Sequence, residues 1–362
     1  MNPSRRHPRA PWLLLLLLLW LPATGLGAHL DIVPGQAFPN LEFPSLLHPT
    51  DYGKLGLDRT KGPVRLHDIP GPYLAIEFFN KSCRPCQSQV REMEEYYQGL
   101  LAARAGTPAI RVLAVAVGNQ AEYLPKYRLK RGMTYPIAAD PEFEQWRRLG
   151  EPGRTPFTVF LRREGDGWVL NSYHFGIHDR DRLAEHAGAM LAGREPPVDG
   201  LDVPPSADRD EEMPISLEAL QSLAAVLFER VAGRNLPVET LDMGAYGIVY
   251  RTRISLSGRR LYARAATRAP VCEVCHAVEF MYVFDETGVV LVFEPIQVTK
   301  YGNAYWDEDD LAHFTSRLEG RRLTELKFDS EVDTVTSATM TSALIYDEVR
   351  RTRTLLEKLR DR

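Results

Sequence analysis

The sequence predicts an α/β domain followed by an α+β domain. Strand-like and helix-like stretches alternate from Gly71 to about Leu191, a proline-rich acidic stretch then interrupts all periodicity, and an amphipathic helix with a run of strands follows. The length of 362 residues accommodates two domains, each able to bury a core. With 44 basic and 48 acidic residues the formal charge is −4, which excludes a strongly basic nucleic-acid binder, so no nucleic-acid partner is expected. Apolar residues at 44% and charged residues at 25% exclude wholesale disorder.

Within the first domain, Tyr73–Phe79 is an apolar, aromatic-rich run suited to a buried strand. Gln87–Leu101 carries Val90, Met93, Tyr97 and Leu101 at helical spacing. Arg111–Val117 reads as a second buried strand. Thr158–Leu161 and Trp168–Tyr173 form a hairpin across Gly165-Asp166-Gly167, and Asp179–Leu191 closes the domain as a helix. Pro196, Pro197, Pro204, Pro205 and Pro214 stand among acidic residues in a solvated linker. Beyond it, Leu217, Leu220, Leu223, Leu227 and Val231 share one face of a helix. Strands are expected at Gly247–Leu256, Arg260–Thr267, Val278–Phe284 and Val289–Phe293. Helices are expected near Asp309–Leu318 and from about Thr341.

The N-terminus reads as an export signal. Arg5, Arg6 and Arg9 precede the run Leu13–Leu19, and Ala23-Thr24-Gly25 supplies a small-x-small exit. An uncleaved anchor is the alternative, since weak apolar character continues to Leu30. The resulting division is 1–28 signal peptide, 29–192 first domain, 193–215 linker and 216–362 second domain, in a periplasmic or extracellular protein, membrane-anchored if the signal stays.

The four cysteines form two close pairs, Cys83/Cys86 and Cys272/Cys275. Exported proteins use cysteine mainly for long-range staples, and two Cys-x-x-Cys pairs suggest redox or cofactor chemistry instead. Cys83-Arg84-Pro85-Cys86 lies at a strand–helix junction. A thiol at a helix N-terminus is biased towards thiolate, and Arg84 adds a positive charge. Cys83 is therefore the attacking thiol and Cys86 the resolving one. A zinc half-site and an inert disulfide are the other readings of such a pair. Thr155-Pro156 opens a strand further on. Together the strand before the motif, the Cys-x-x-Cys and the Thr-Pro resemble the thioredoxin fold, in particular exported thiol–disulfide oxidoreductases related to cytochrome-maturation thioredoxins. The resemblance spans Tyr73–Gly176, with Ser82 where the family usually has tryptophan. It implies a cis Thr155–Pro156 bond facing the disulfide, with the Thr155 backbone open to a substrate strand. Asn80-Lys81-Ser82 also matches a glycosylation sequon, read as a chance match.

A second cluster runs from Asp333 to Ser342 and precedes an amphipathic helix. Unpaired amides and hydroxyls at a helix start suit an anion, although an elaborate N-cap has the same composition. The stretch is similar to the flavinylation motif of FMN-binding domains in the sodium-pumping quinone reductase and its electron-transfer relatives. Asp333, Thr336, Ala338 and Thr339 match that motif, and Ser337 stands where glycine is common. The resemblance covers about Arg260 to Leu356. It implies FMN as cofactor, attached through a phosphoester to Thr339 by a flavin-attaching transferase. Lys300-Tyr301-Gly302-Asn303 and Tyr305-Trp306 are candidates for stacking or for loop anchoring.

Cys272-Glu273-Val274-Cys275-His276 spells a c-type haem attachment signal with His276 as iron ligand. It falls between two expected antiparallel strands, and no sixth ligand stands out among His174, His178 and His313. A redox dithiol near a flavin, with His276 favouring the thiolate, is the competing reading, and a metal or structural disulfide is the third. The whole predicts an oxidoreductase that relays electrons between FMN and Cys83/Cys86 by way of Cys272/Cys275. Its partners would be a protein disulfide or thiol and an unseen membrane electron donor. The alternative is a flavin and c-haem electron-transfer protein whose first domain is a docking or maturation module.

Overall fold

The computed structural model describes residues 33–103, 109–194, 215–255, 257–269, 271 and 277–360. The signal segment and the linker core therefore lie outside the described residues. In the first half the strands are β1 (Ala37–Phe38), β2 (Glu42–Phe43), β3 (Val64–Arg65), β4 (Tyr73–Phe79), β5 (Ile110–Val117), β6 (Ile137–Asp140), β7 (Phe157–Glu164) and β8 (Gly167–Phe175). The helices are α1 (Pro49–Lys54), α2 (Arg84–Ala102), α3 (Leu124–Arg131), α4 (Glu144–Arg148) and α5 (Arg180–Leu191). Six strands make one sheet in the order β1-β8-β7-β4-β5-β6, and β2 pairs with β3 apart from it. β4 runs parallel to β5 and antiparallel to β7, so this buried, aromatic-rich strand lies centrally. Its buried residues face both layers, which is why Tyr73–Phe79 reads as an apolar run interrupted only by Glu77.

The second half contains α6 (Leu217–Ala232), β9 (Glu239–Asp242), β10 (Ile248–Arg253), β11 (Arg260–Arg268), β12 (Val278–Asp285), β13 (Val290–Gln297), α7 (Glu308–Leu318) and α8 (Thr339–Arg360). Its five strands form an antiparallel meander, β13-β12-β11-β10-β9. Alternate residues of β11 and β12 serve opposite faces. Leu261, Ala263, Met281 and Val283 pack with Leu220, Ala224, Leu227 and Phe228 of α6. Tyr262, Phe280, Tyr282 and Phe284 pack with Leu344, Leu355 and Leu359 of α8. That second cluster continues into the first half through Val271, Trp146, Phe157 and Phe78, so the two sheets share apolar core.

Three expectations need correction. α2 starts at Arg84 rather than Gln87 because Pro85 occupies its first turn, where a missing N–H costs nothing. α8 starts at Thr339 rather than Thr341. Leu101 and Leu217, assigned to apolar helix faces, are exposed at 37% and 64%, each in a terminal turn of its helix. No described helix is long and apolar enough to cross a membrane.

Candidate functional site

β4 delivers the chain to the cysteine motif, and α2 begins immediately after Cys83. Cys83 is the N-cap of that helix, and its Sγ accepts the Cys86 amide at 3.3 Å. The two cysteines form a disulfide with Cα atoms 5.3 Å apart. Asn80 fixes the approach. Its Nδ2 donates to the Val117 carbonyl at 2.6 Å and its Oδ1 accepts the Ser82 amide at 2.8 Å. Asn80 is fully buried, which agrees with the sequon being a chance match.

Thr155–Pro156 is a cis bond, and the Thr155 carbonyl lies 3.5 Å from Cys83 Sγ. The Thr155 amide is not open, contrary to the expectation. It donates to the Val271 carbonyl at 3.0 Å, and the Thr155 hydroxyl donates to the same oxygen at 3.1 Å. Val271 belongs to the second half of the chain, so the strand edge beside the disulfide is already paired.

The second half also contributes the opposite wall. A cavity of about 200 Å³ is lined by Ser82, Cys83, Arg84 and Gln87 on one side and by Tyr301 and residues 337–341 on the other. Arg84 lies over the Tyr301 ring at 5.0 Å, a cation–π contact that holds a positive charge next to Cys83. The Ser337 carbonyl accepts the Tyr301 amide at 2.7 Å, and Ser337 has φ of 63°. That left-handed backbone suits glycine best, which accounts for a glycine at this position in the motif.

Of the residues predicted to bind cofactor, Ser337, Ala338 and Thr339 line the cavity, whereas Asp333 and Thr336 do not. Asp333 is buried and braces its own loop, its Oδ2 accepting the Asp329 amide at 2.9 Å. Thr339 is the first residue of α8, whose opening amides lack intrahelical acceptors by helix geometry. Thr341 is already engaged, its hydroxyl donating to the Thr299 carbonyl at 2.8 Å. A helix start with a half-exposed threonine fits a phosphate esterified to that residue. At about 200 Å³ the cavity is smaller than whole-cofactor sites of roughly 300–1,000 Å³, so it suits the phosphate end of FMN.

Cys272, Cys275 and His276 lie outside the described residues. Their place in the chain is set by β11 and β12, which pair Arg268 with Val278 on either side of them. His174 and His178 are buried together in the first half, and His313 lies on the solvent side of α7. No group of three or more His, Cys, Asp or Glu side chains suited to a metal ion occurs among the described residues.

Two features escaped the sequence reading. The first is Glu77 on β4. It is fully buried, accepts a hydrogen bond from Tyr135 Oη at 3.1 Å, and burial pushes its carboxyl up to about 8. Ala75 and Phe79, which flank it on the same face, share a core cluster with Cys86, so Glu77 is a buried acid on the cysteine side of the sheet. A single acid inside the run Tyr73–Phe79 was the available signal. The second is an ionic network between the halves. Arg268 reaches Glu151 at 2.9 Å and Asp347 at 2.7 Å, Arg147 reaches Asp347 at 2.7 Å, and Arg350 pairs with Glu142.

Comparison with known proteins bears on the first half. Residues 34–166 match the family model described as the AhpC/TSA family. The "Thiol-disulfide oxidoreductase ResA" of Geobacillus kaustophilus is 28% identical over 102 residues, 28% of this chain and 55% of the relative. That of Geobacillus thermodenitrificans is 28% identical over 101 residues. The chain thus spans about half the length of the curated relatives it matches. Among solved structures, a secreted thiol-disulfide isomerase from Corynebacterium glutamicum has a TM-score of 0.32 at 20% identity, covering 41% of this chain and 80% of the other. A disulfide isomerase homologue from Bacteroides thetaiotaomicron has a TM-score of 0.36 at 16% identity, covering 45% and 92%. The family match, the strand order and the cysteine motif agree: the N-terminal domain is a thioredoxin-like domain of the AhpC/TSA type.

Proposed function

We propose that this protein is an exported thiol–disulfide oxidoreductase whose Cys83/Cys86 couple is served by an FMN carried at Thr339. The observation that supports the coupling is the single cavity with Cys83 and Arg84 on one wall and residues 337–341 on the other. The relatives' printed names support the thiol–disulfide class, and the basic, apolar and small-residue segments of 1–28 support export. Cys83 is the attacking thiol, because the Cys86 amide and the start of α2 both favour its thiolate. Arg84 and Tyr301 hold positive charge and an aromatic face beside it. FMN, when bound, supplies two-electron exchange with sulfur. A protein thiol or disulfide, a membrane-side electron donor and a flavin-attaching transferase are the partners of this reading.

The test is expression of the full chain with a flavin-attaching transferase, followed by intact mass and acid-quenched alkylation. Attached FMN, absent from Thr339→Ala, together with thiol appearance at Cys83/Cys86 after flavin reduction, is the expected outcome. A flavin-free chain, or thiols that stay oxidised while the flavin is reduced, overturns the coupling.

The burial of Cys83 favours a second reading, in which the first domain is a docking module for a flavin and c-haem electron-transfer protein. Catalysis of insulin reduction by the full chain in dithiothreitol excludes it, whereas a pyridine haemochrome spectrum showing bound haem upholds it.

A further inference from the structure

Arg84 breaks a local rule. It is the first residue of α2, where the helix dipole presents its positive end and a cation is disfavoured. The first turn of α2 holds no acidic residue to offset it. The side chain is exposed, so without a hold the guanidinium would turn into water, away from the cysteines. The hold comes from the other half of the chain, as the Tyr301 ring at 5.0 Å. Tyr301 is itself pinned. Its amide donates to the Ser337 carbonyl at 2.7 Å, and the Lys300 amide donates to the Ala304 carbonyl at 2.7 Å across the loop tip. The Thr341 hydroxyl ties the start of that loop to α8 through the Thr299 carbonyl at 2.8 Å. Neighbouring charges do not replace Arg84. Lys81 is drawn to Glu331 at 3.3 Å and lies over the Tyr123 ring at 5.1 Å. Glu77, on the cysteine side of the sheet, is pushed up to about 8 by burial and is mostly uncharged at neutral pH.

We infer that Tyr301 is a positioning residue of the disulfide couple: it fixes the Arg84 guanidinium beside Cys83 and so sets the reduction potential of Cys83–Cys86 from the second half of the chain. The inference rests on the oxidoreductase reading above and adds a residue to that site. A fixed positive charge stabilises the Cys83 thiolate, which exists only in the reduced couple. Reduced protein is thereby favoured over the disulfide. Reduction by two glutathione molecules breaks the Cys83–Cys86 bond and forms one glutathione disulfide, and the two thiol protons pass to the cysteines. Only the dithiol side of that balance contains a thiolate for Arg84 to stabilise. With the ring gone, the guanidinium leaves for solvent and the balance moves towards the disulfide.

The test uses the full chain, equilibrated at neutral pH across glutathione ratios, acid-quenched, alkylated and mapped by mass at Cys83 and Cys86. Tyr301→Leu keeps apolar bulk and removes the aromatic face. It should lower the equilibrium constant for reduction by about three- to tenfold, a tenfold loss being about 30 mV towards a more reducing couple. Tyr301→Phe keeps the ring and should stay within about twofold of wild type. Arg84→Gln should reproduce the loss, and adding Tyr301→Leu to it should change nothing more. A Leu variant equal to wild type, a Phe variant as low as Leu, or a full Leu effect in the Arg84→Gln background overturns the inference. Arg84→Gln alters an exposed position and keeps the test decisive should Tyr301→Leu fail to fold, because an unshifted value there overturns the inference as well. Insulin reduction separates the two levels. Turnover by every variant with equal equilibrium constants sinks only the role of Tyr301, whereas a Cys83–Cys86 pair that neither glutathione nor insulin engages sinks the oxidoreductase reading with it.

Discussion

Glu77 shows what one residue can do inside a sheet. Its carboxyl sits at about 8 against an ordinary value of 4.5, because burial penalises the charged form more than the Tyr135 hydrogen bond favours it. A group with a raised folded pKa stabilises fully below its unfolded value and loses that contribution as pH rises through the folded one. Stability should therefore decline between about pH 4.5 and 8 in urea melts. Glu77→Gln, which keeps an acceptor for Tyr135, should flatten that slope. An unchanged slope would show that Glu77 is not its source. Ser337 carries a different local cost. A non-glycine residue at φ of 63° is disfavoured by about 1–2 kcal/mol, so Ser337→Gly should stabilise the chain by about 1 kcal/mol and leave the turn into α8 intact. A loss of stability on that change would show that the serine side chain makes up for its backbone.

At the scale of elements, the hairpin turn between β12 and β13 locks against α8. Gly288 has φ of 83°, and a Cβ there would lie 2.8 Å from Leu356 Cδ2. Gly288→Ala should cost about 2 kcal/mol through both strain and overpacking, visible as a lower denaturation midpoint. Elements with strong internal patterns were legible in the sequence. β4 matches its expected run, and the β7–β8 hairpin and α5 lie close to theirs. The two-residue strands β1, β2 and β3 and the four-residue β6 were not legible, because pairing with distant partners defines them, and β9 is too short and polar to carry a pattern of its own. Misplaced helix starts have one physical origin. Proline, serine and threonine are read as breakers or caps, yet the first turn tolerates them. Cys83, Cys86 and Thr155 could be brought together on paper by the motif and the strand order. Val271 could not, because a backbone carbonyl carries no side-chain signal.

At the scale of the molecule, charge joins the halves. Arg268 is buried among Glu151, Asp347 and Glu348, and Arg264 and Arg351 also reach Glu348. Apart from Glu348 and Arg351, one turn apart on α8, these partners lie far apart in sequence and leave no periodicity to read. Burial alone would raise the Glu348 carboxyl, but the guanidiniums of Arg264, Arg268 and Arg351 outweigh it and hold it at about 2. A depressed carboxylate stabilises fully above its unfolded value near 4.5 and loses that contribution as pH falls towards 2. Asp347, which despite its burial Arg268 and the first half's Arg147 hold below its ordinary value, loses charge the same way, so acid should loosen the contact between the halves, read as faster hydrogen exchange at Thr155. Exchange at Thr155 that does not change across the window would place the acid response elsewhere. Arg268→Ala removes one partner from a buried set and should cost about 3–5 kcal/mol, whereas a loss under 1 kcal/mol would mean the cluster is well solvated.

The lid of protein over Cys83 has a bearing on which bystanders the sulfur meets. Reagents as bulky as glutathione must wait for the halves to part before they find it. Its labelling rate is thus a clock for that parting.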